Sequence, residues 1–321
     1  MPLDEFAFIA QLLRPLTGRT PGAFDFTDDA AVIDAPGPDL QLVLTKDAMV
    51  AGVHFLPDDP ADSIAQKLMR VNLSDLAAMG ADPLGCLLAL ARPKDITDDW
   101  LALFVSGLAA DQDRFGCRLL GGDTVSTPGP LTLSLTALGT IPRGQSLRRS
   151  GGRAGDDVWI SGTLGDGRLG LAVRRGEIEI AADAAERLVE RYRRPQPRVA
   201  LGVALRGVAS ACLDVSDGLL ADLDHLCRAS SVGAEVEVET LPLSADAAGL
   251  SGARDAALGG GDDYELVFSA AGQRRADVER AAIGARTAVT RIGRLVPGAA
   301  IRLTDAAGRE VAPPGAGWRH F

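Results

Sequence analysis

Lysine is nearly absent from this chain: among 33 basic residues in 321, only Lys46, Lys67 and Lys94 are lysines. No G-x-x-x-x-G-K-[ST] string exists, which excludes a P-loop nucleotide site at the level of the motif. Positive charge is short overall, 33 Lys and Arg against 43 Asp and Glu, for a net charge of -10. A balance this acidic argues against nucleic acid as a partner, because phosphate backbones attract Lys/Arg-rich faces. Cysteine is sparse as well. Cys86, Cys117, Cys212 and Cys227 lie far apart with no C-x-x-C pair. That spacing argues against a zinc site or a disulfide framework and for reduced thiols in a cytoplasmic protein. No apolar run approaches membrane-spanning length. Met1 to Leu13 carries Asp4 and Glu5, with Phe6, Ile9, Ala10 and Leu13 on one face, and reads as an amphipathic helix rather than a secretion signal.

What remains is an ordinary globular composition, 46% hydrophobic and 24% charged. Apolar runs of strand length alternate with helical patterns, so the expected fold class is α/β or α+β. Strands are expected at Ala30–Ile33, Leu40–Thr45, Leu84–Ala91 and Leu131–Gly139. Helices are expected at Ser63–Met79, capped by Asp62, and at Asp98–Phe115, capped by Thr97. The stretch from Pro142 to Gly155 is rich in Gly, Arg and Ser and reads as a linker or mobile loop. It divides the chain into two expected domains, 1–141 and 142–321. In the second, strands are expected at Val158–Ser161, Ala211–Val215, Ala234–Val238, Tyr264–Ser269 and Val289–Arg294. Its helices are expected at Ala182–Arg193, Val199–Ala209 and from Gly218 to Ala229.

Aspartates recur at the ends of these elements. Asp28-Asp29 precede a strand, and Asp47 ends the strand Leu40–Thr45, where α/β folds commonly present site residues. In the helix Ser63–Met79, Asn72 and Asp75 sit beside the apolar stripe Ile64, Leu68, Val71, Leu76 and Met79. They lie either at its solvated edge or against something positive, since a lone buried carboxylate is costly. Asp123 follows Gly121-Gly122, where missing side chains let a phosphate or metal approach the backbone. Asp214-Val215-Ser216-Asp217-Gly218 leads from a strand into a helix start, and Gly259-Gly260-Gly261-Asp262-Asp263-Tyr264-Glu265 is a glycine-rich turn entering a strand. Each alone reads equally as a turn or cap. Together they would repel unless cations neutralise them. Mg²⁺, shared between carboxylates and substrate phosphates, fits that need, and the reaction class it suits is phosphoryl transfer from ATP.

Gly165-Asp166-Gly167-Arg168-Leu169-Gly170 matches G-x-G-x-x-G, but the second strand and ribose-binding acid of a dinucleotide fold do not follow. A turn facing a nucleotide, or packing on a sheet, suits it better.

A series of strings occurs in the order seen in one enzyme family. They are Asp28-Asp29-Ala30-Ala31, Thr45-Lys46-Asp47, Gly52-Val53-His54-Phe55, the run Asn72-Leu73-Ser74-Asp75-Leu76-Ala77-Ala78-Met79-Gly80, Gly121-Gly122-Asp123-Thr124, Asp214 to Leu219, and Gly260 to Leu266. In these the chain resembles the thiamine-monophosphate kinases of the aminoimidazole ribonucleotide synthetase superfamily, almost to its end at Trp318-Arg319-His320-Phe321. The resemblance implies an N-terminal domain whose mixed sheet pairs across a homodimer, an α/β C-terminal domain, and ATP in the cleft between them. It implies direct transfer of the γ-phosphoryl group to thiamine monophosphate, with several Mg²⁺ ions and no covalent nucleophile. Metal ligands would be Asp29, Thr45, Asp47, Asp75, Asp123, Asp214 and Asp217, with Lys46 at a further metal position. Nucleotide contacts would be Gly122, Asp123, Arg149 and Ser216, and substrate contacts His54, Glu265 and Trp318. Lys46 departs from the family's usual small residue; its carbonyl could still serve, or its ammonium could replace part of a metal site. Phe26-Thr27 departs from a turn that more often holds glycine. No cysteine precedes Cys86, which separates the chain from selenophosphate synthetases.

Overall fold

One helix, α1 (Ala61–Ala78), explains how the chain is arranged, because 15 of its 18 residues are buried. A helix hidden on nearly every side has structure packed all around it. On one side lies a sheet of β1 (Ala31–Asp34), β2 (Leu40–Val50), β3 (Asp82–Arg92), β4 (Arg118–Ser126) and β5 (Thr132–Pro142), in the order β1-β2-β5-β3-β4. On the other lies a second sheet from the C-terminal half. The computed structural model describes residues 31–34 and 37–313.

The first sheet is antiparallel except for β3 and β4, which run parallel. A parallel neighbour requires a crossover, and α2 (Asp98–Phe115) supplies it. Thr97 caps α2 as expected, its hydroxyl accepting the Trp100 N–H at 3.2 Å, and Gly116 ends the helix in the left-handed region at φ 72°. β2 runs to Val50, five residues beyond the expected strand, so Asp47 stands inside the strand rather than at its end. The alternation explains this: Val43, Thr45, Asp47 and Met49 share the face toward α1, and the polar pair Lys46-Asp47 only imitates a strand end. α1 starts at Ala61 behind Pro60, so Asp62 falls in its first turn and is not its cap.

The second sheet contains β6 (Asp157–Ser161), β7 (Ala211–Val215), β8 (Gly233–Glu237), β9 (Glu265–Ala270), β10 (Val289–Val296), β11 (Ile301–Thr304) and β12 (Glu310–Val311), in the order β12-β11-β8-β10-β6-β9-β7. Its helices are α3 (Asp166–Arg174), α4 (Ala182–Arg193), α5 (Val199–Ala204), α6 (Leu219–Ser230), α7 (Ala253–Gly259) and α8 (Arg275–Gly284). α5 is shorter than the expected helix to Ala209, since the chain turns at Gly207 with φ 67°. Every residue of β6, β7 and β9 is buried. The architecture is therefore a two-domain α/β fold with one mixed sheet in each half.

The halves meet at close range. A Cβ on Gly202 of α5 would lie 2.0 Å from the Ala77 carbonyl oxygen of α1, so the two helix backbones touch. The glycine- and arginine-rich stretch 142–155 is held down. The Leu147 N–H donates to Met79 O at 3.0 Å, the Cys212 N–H to Arg148 O at 2.8 Å, and the Gly152 N–H to Ser230 Oγ at 3.1 Å.

Candidate active site

The seam between the sheets collects the acids. From β2, Asp47 donates its N–H to Asn72 Oδ1 (3.0 Å), and its carbonyl accepts from Ser134 Oγ (3.0 Å). The Thr45 hydroxyl donates to Asp75 Oδ2. From β7, Asp214 is buried and accepts from Ser74 Oγ at 2.7 Å. Asn72 is therefore not at a solvated edge, as one alternative had it, whereas Asp75 is only half-buried. Asn72 is fully buried, donating to Leu68 O at 2.9 Å while serving β2, and Asp75 meets a hydroxyl rather than a positive group in that contact. Three α1 residues within one turn thus bond both sheets, Asn72 and Asp75 to β2 and Ser74 to β7.

Asp217 follows β7, and its N–H, with that of Gly218, donates to the buried Asp222 carboxylate at 3.0 and 3.1 Å. Burial, then the charges of Asp217 and Asp214, push the Asp222 carboxyl well above its usual range, and Arg149 acts in the opposite sense. Tyr264 stands among the acids: burial raises its phenol first, followed by the negative fields of Asp262, Asp47, Asp214 and Asp217. Asp47 from one sheet and Asp214 and Asp217 from the other thus act on a single hydroxyl. Asp262 and Tyr264 both take left-handed backbone, at φ 71° and 51°, a strain carried here by non-glycine residues. Four internal bonds hold this turn. The Asp262 N–H donates to Ser216 O (2.9 Å), the Tyr264 N–H to Val215 O (2.8 Å), and Asp263 accepts from the Gly165 and Gly167 N–H groups at 2.7 and 3.1 Å.

That last contact accounts for the G-x-G-x-x-G string. The N-terminus of α3, where a dinucleotide fold would seat its pyrophosphate, takes an internal carboxylate instead. Burial pushes Asp263 up to about 8, against the pull of the two N–H donors. The glycines serve packing: a Cβ at Gly170 would meet Leu188 O at 2.1 Å, and one at Gly167 would meet Asp262 O at 2.4 Å.

Other expected site residues fall elsewhere. Asp29 and Trp318 lie outside the described residues. Lys46 is exposed on the β2 face opposite Thr45 and Asp47, so its ammonium is not a substitute for a cation beside them. Gly122 and Asp123 are on the edge strand β4, opposite Leu88 and Ala89. Asp47 pairs with Leu135, which pairs with Leu88, so Gly122 lies three strand spacings, about 14 Å, from Asp47. Asp123 accepts its own neighbour's N–H, from Thr124 at 2.8 Å. Ser216 contributes its carbonyl to the Asp262 turn, and the Arg149 carbonyl accepts from Ser230 Oγ at 2.8 Å. His54 Nδ1 accepts the Val50 N–H at 3.0 Å, which puts the ring's proton on Nε2.

Glu265 is fully buried. It accepts from Ser161 Oγ at 2.6 Å, Arg191 at 2.8 Å and both donors of Arg198. Burial works against the Arg198 charge, but the Glu265 carboxylate outweighs it and raises the guanidinium. Beside this group opens a cleft of about 680 Å³ lined by Gly162, Thr163, Arg191, Arg198, Ser244 and Thr287, among others.

Among the described residues, no three His, Cys, Asp or Glu side chains are gathered closely enough to hold a metal alone. The donors that do converge are all oxygens, hydroxyl and carboxylate, the ligand chemistry of a hard cation. Sequence reasoning gave no role to Ser74, Asp222, Asp263 or Lys67. Ser74 was the most accessible of these, being the polar residue beside Asp75 in a helix too apolar to face water.

Two sheets facing each other across an acidic seam define an AIR synthase related protein. Residues 27–141 match AIR synthase related protein, N-terminal domain, and residues 153–306 match AIR synthase related protein, C-terminal domain. The thiamine-monophosphate kinase of Caulobacter vibrioides is 45% identical over 99% of this chain and 91% of its own length. The crystal structure of thiamine-monophosphate kinase from Stenotrophomonas maltophilia K279a is 43% identical, with TM-score 0.80, covering 97% of this chain and 99% of that one. A structure of AaThiL complexed with AMPPCP and TMP is 31% identical, with TM-score 0.87, covering 100% and 99%. The chain belongs to the thiamine-monophosphate kinase family.

Proposed function

We propose that this chain transfers the γ-phosphoryl group of ATP directly to thiamine monophosphate, giving thiamine diphosphate and ADP. The observation that carries the reading is the way α1 joins the acids of the two halves: Asp75 accepts from Thr45 of β2 and Ser74 donates to Asp214 of β7, while Asp47, Asp214 and Asp217 all act on Tyr264. The AMPPCP and TMP bound by AaThiL, over essentially the same length of chain, support both substrates. An oxygen of the acceptor phosphate attacks the γ-phosphorus in line, and the bond to the β-bridging oxygen breaks. The nucleophile is already anionic, so no residue need form a covalent intermediate and the protein's task is positioning.

Magnesium would be held by Thr45, Asp47, Asp75, Asp214 and Asp217, with Asp29, Asp123 and the Lys46 carbonyl as further ligands. Incomplete protein cages suit Mg²⁺, which takes remaining ligands from water and phosphate. When bound, it supplies the charge shielding that lets two phosphates approach. Gly122, Asp123, Ser216 and Arg149 are assigned to the nucleotide, and His54, Glu265 and Trp318 to thiamine monophosphate. Residues 1–141 would form the metal-, ATP- and dimer-forming domain, and 142–321 would complete the cleft. Because Glu265 is already bound by Arg191 and Arg198, it would serve thiamine monophosphate through them, anchoring both beside the cleft.

The outer edge of the first sheet supports a homodimer: Leu84, Leu87, Leu119, Leu120 and Val125 of β3 and β4 are all exposed, a concentration of apolar surface that a second copy would cover. Among the described residues no helix is long and apolar enough to cross a membrane, and the four free cysteines are buried; we assign the enzyme to the cytoplasm. The direct test is incubation with ATP, Mg²⁺ and thiamine monophosphate. Stoichiometric thiamine diphosphate and ADP are expected; no product across a range of Mg²⁺ concentrations would overturn the reading.

A further inference from the structure

Lys67 is buried in the middle of α1, and its ammonium touches three separate elements. It donates to the His54 carbonyl at 3.0 Å and to Asp262 Oδ2 at 3.0 Å, and it lies 4.0 Å from the centroid of the Tyr192 ring. The first contact belongs to the turn after β2, the second to the strained turn before β9, and the third to α4. A buried charge persists only where it is paired and hydrogen-bonded, and all three contacts serve that end. They also lie on both sides of the domain seam.

The two turns carry different parts of the proposed reaction. The turn after β2 bears His54, assigned to thiamine monophosphate. The turn before β9 bears Tyr264, which the metal-site acids surround. The four other bonds that hold the Asp262–Tyr264 turn, to Ser216 O, Val215 O and the Gly165 and Gly167 amides, stay inside the C-terminal half. The Lys67–Asp262 bond, by contrast, reaches into the N-terminal half. It also neutralises Asp262, one of the four aspartates whose field falls on Tyr264. Lysine suits the place: a compact ammonium presents three donors to separate acceptors, where a planar guanidinium presents a fork.

We propose that Lys67 is a positioning residue for phosphoryl transfer, fixing the His54 turn and the Asp262–Tyr264 turn relative to each other across the domain seam. This rests on the kinase reading and on the assignment of His54 to the acceptor. Without the ammonium the His54 turn loses its tie to the Asp262–Tyr264 turn, keeping only the more distant ion pairs of Asp58 and Asp59 with Arg174 and Arg193, and a carboxylate is returned to an already acidic cluster. The acceptor side should therefore suffer more than the nucleotide side.

The test compares wild type, Lys67→Met, Lys67→Arg and Asp262→Asn in steady-state assays and in hydrogen exchange. Asp262 is partly exposed, so Asp262→Asn removes the ion pair from the side that tolerates change if Lys67→Met fails to fold. In Lys67→Met, or in Asp262→Asn in its place, KM for thiamine monophosphate should rise at least about tenfold while KM for ATP stays within about threefold, and Lys67→Arg should recover part of the loss. Amide exchange should quicken together in 51–55 and 260–264 and remain slow in β9. Equal rises in both KM values, or exchange that quickens throughout the fold, would reduce Lys67 to a structural residue and overturn the proposal. Wild-type turnover in the same series tests the kinase reading separately, and the exchange measurement tests the tie without any turnover.

Discussion

The two sheets differ most at their most extreme strands. Every residue of β4 is exposed, whereas every residue of β9 is buried. β9 is mostly apolar, with Leu266, Val267, Phe268 and Ala270, while β4 sets Leu119, Leu120 and Val125 among polar residues and glycines; for these side chains the difference is whether the chain itself supplies a cover. The second sheet is finished by its own helices together with α1. The first is covered by α1 and α2 on one face and leaves Leu87 and Leu120 facing outward at 44% and 60% exposure. An uncovered apolar edge is a surface meant for something else. The site lies between the closed half and the open one, and each contributes acids to it.

The largest effect should come from testing whether the two halves contribute equally. Asp75→Asn on the open side and Asp214→Asn on the closed side should each lower kcat by at least about 100-fold with the melting transition preserved. A deep loss in one and near-normal turnover in the other, by coupled ADP assay, would assign the chemistry to a single half. Next, charging the open edge sharpens the contrast. Leu87→Asp and Leu120→Asp should each weaken the proposed self-association at least about tenfold, seen by sedimentation, while Val267→Asp in β9 should prevent folding. Both edge variants sedimenting as wild type would remove that edge from any interface.

A smaller effect probes the contact between halves. Gly202→Ala forces a methyl into the Ala77 carbonyl and should cost about 1–3 kcal/mol, measured by urea unfolding; an unchanged midpoint would mean that the helices separate freely. The smallest lies wholly within the closed half. The Arg275 guanidinium, then Arg291, hold the Asp157 carboxyl below its usual range. A depressed acid stabilises the fold above its unfolded pKa, and that contribution is lost as pH falls through the lower folded value. Asp157→Asn should therefore lower Tm by about 1–3 °C at pH 7, and the difference should shrink below about pH 4. A difference that grew in acid would contradict the assignment.

The class of fold, most elements and the acids of the seam were legible in the sequence, because strand and helix periodicities are local and the Asn72–Gly80 run is distinctive. The pairings were not. Ser74 meets Asp214 140 positions away and Lys67 meets Asp262 195 positions away, and no local pattern encodes such distances. Asp47 was misplaced at a strand end because a polar pair within β2 looks like a terminus. The G-x-G-x-x-G string gave no sign of its anion, since the carboxylate that fills it arrives from Asp263, nearly a hundred residues later. The segment 142–155 had the composition of a linker, yet backbone hydrogen bonds, which composition does not report, fasten it across the seam.

The burial of α1 on almost every side has one more consequence. Two regions that can be cut apart in the sequence share a helix whose apolar residues complete one core and whose C-terminal alanines, Ala77 and Ala78, belong to a core shared with α5 and the second sheet. Melting either half would strip cover from this helix and thereby from the other half. The protein should lose its structure in one calorimetric transition, with van't Hoff and calorimetric enthalpies equal, so that a division visible in the chain has no counterpart in its thermodynamics.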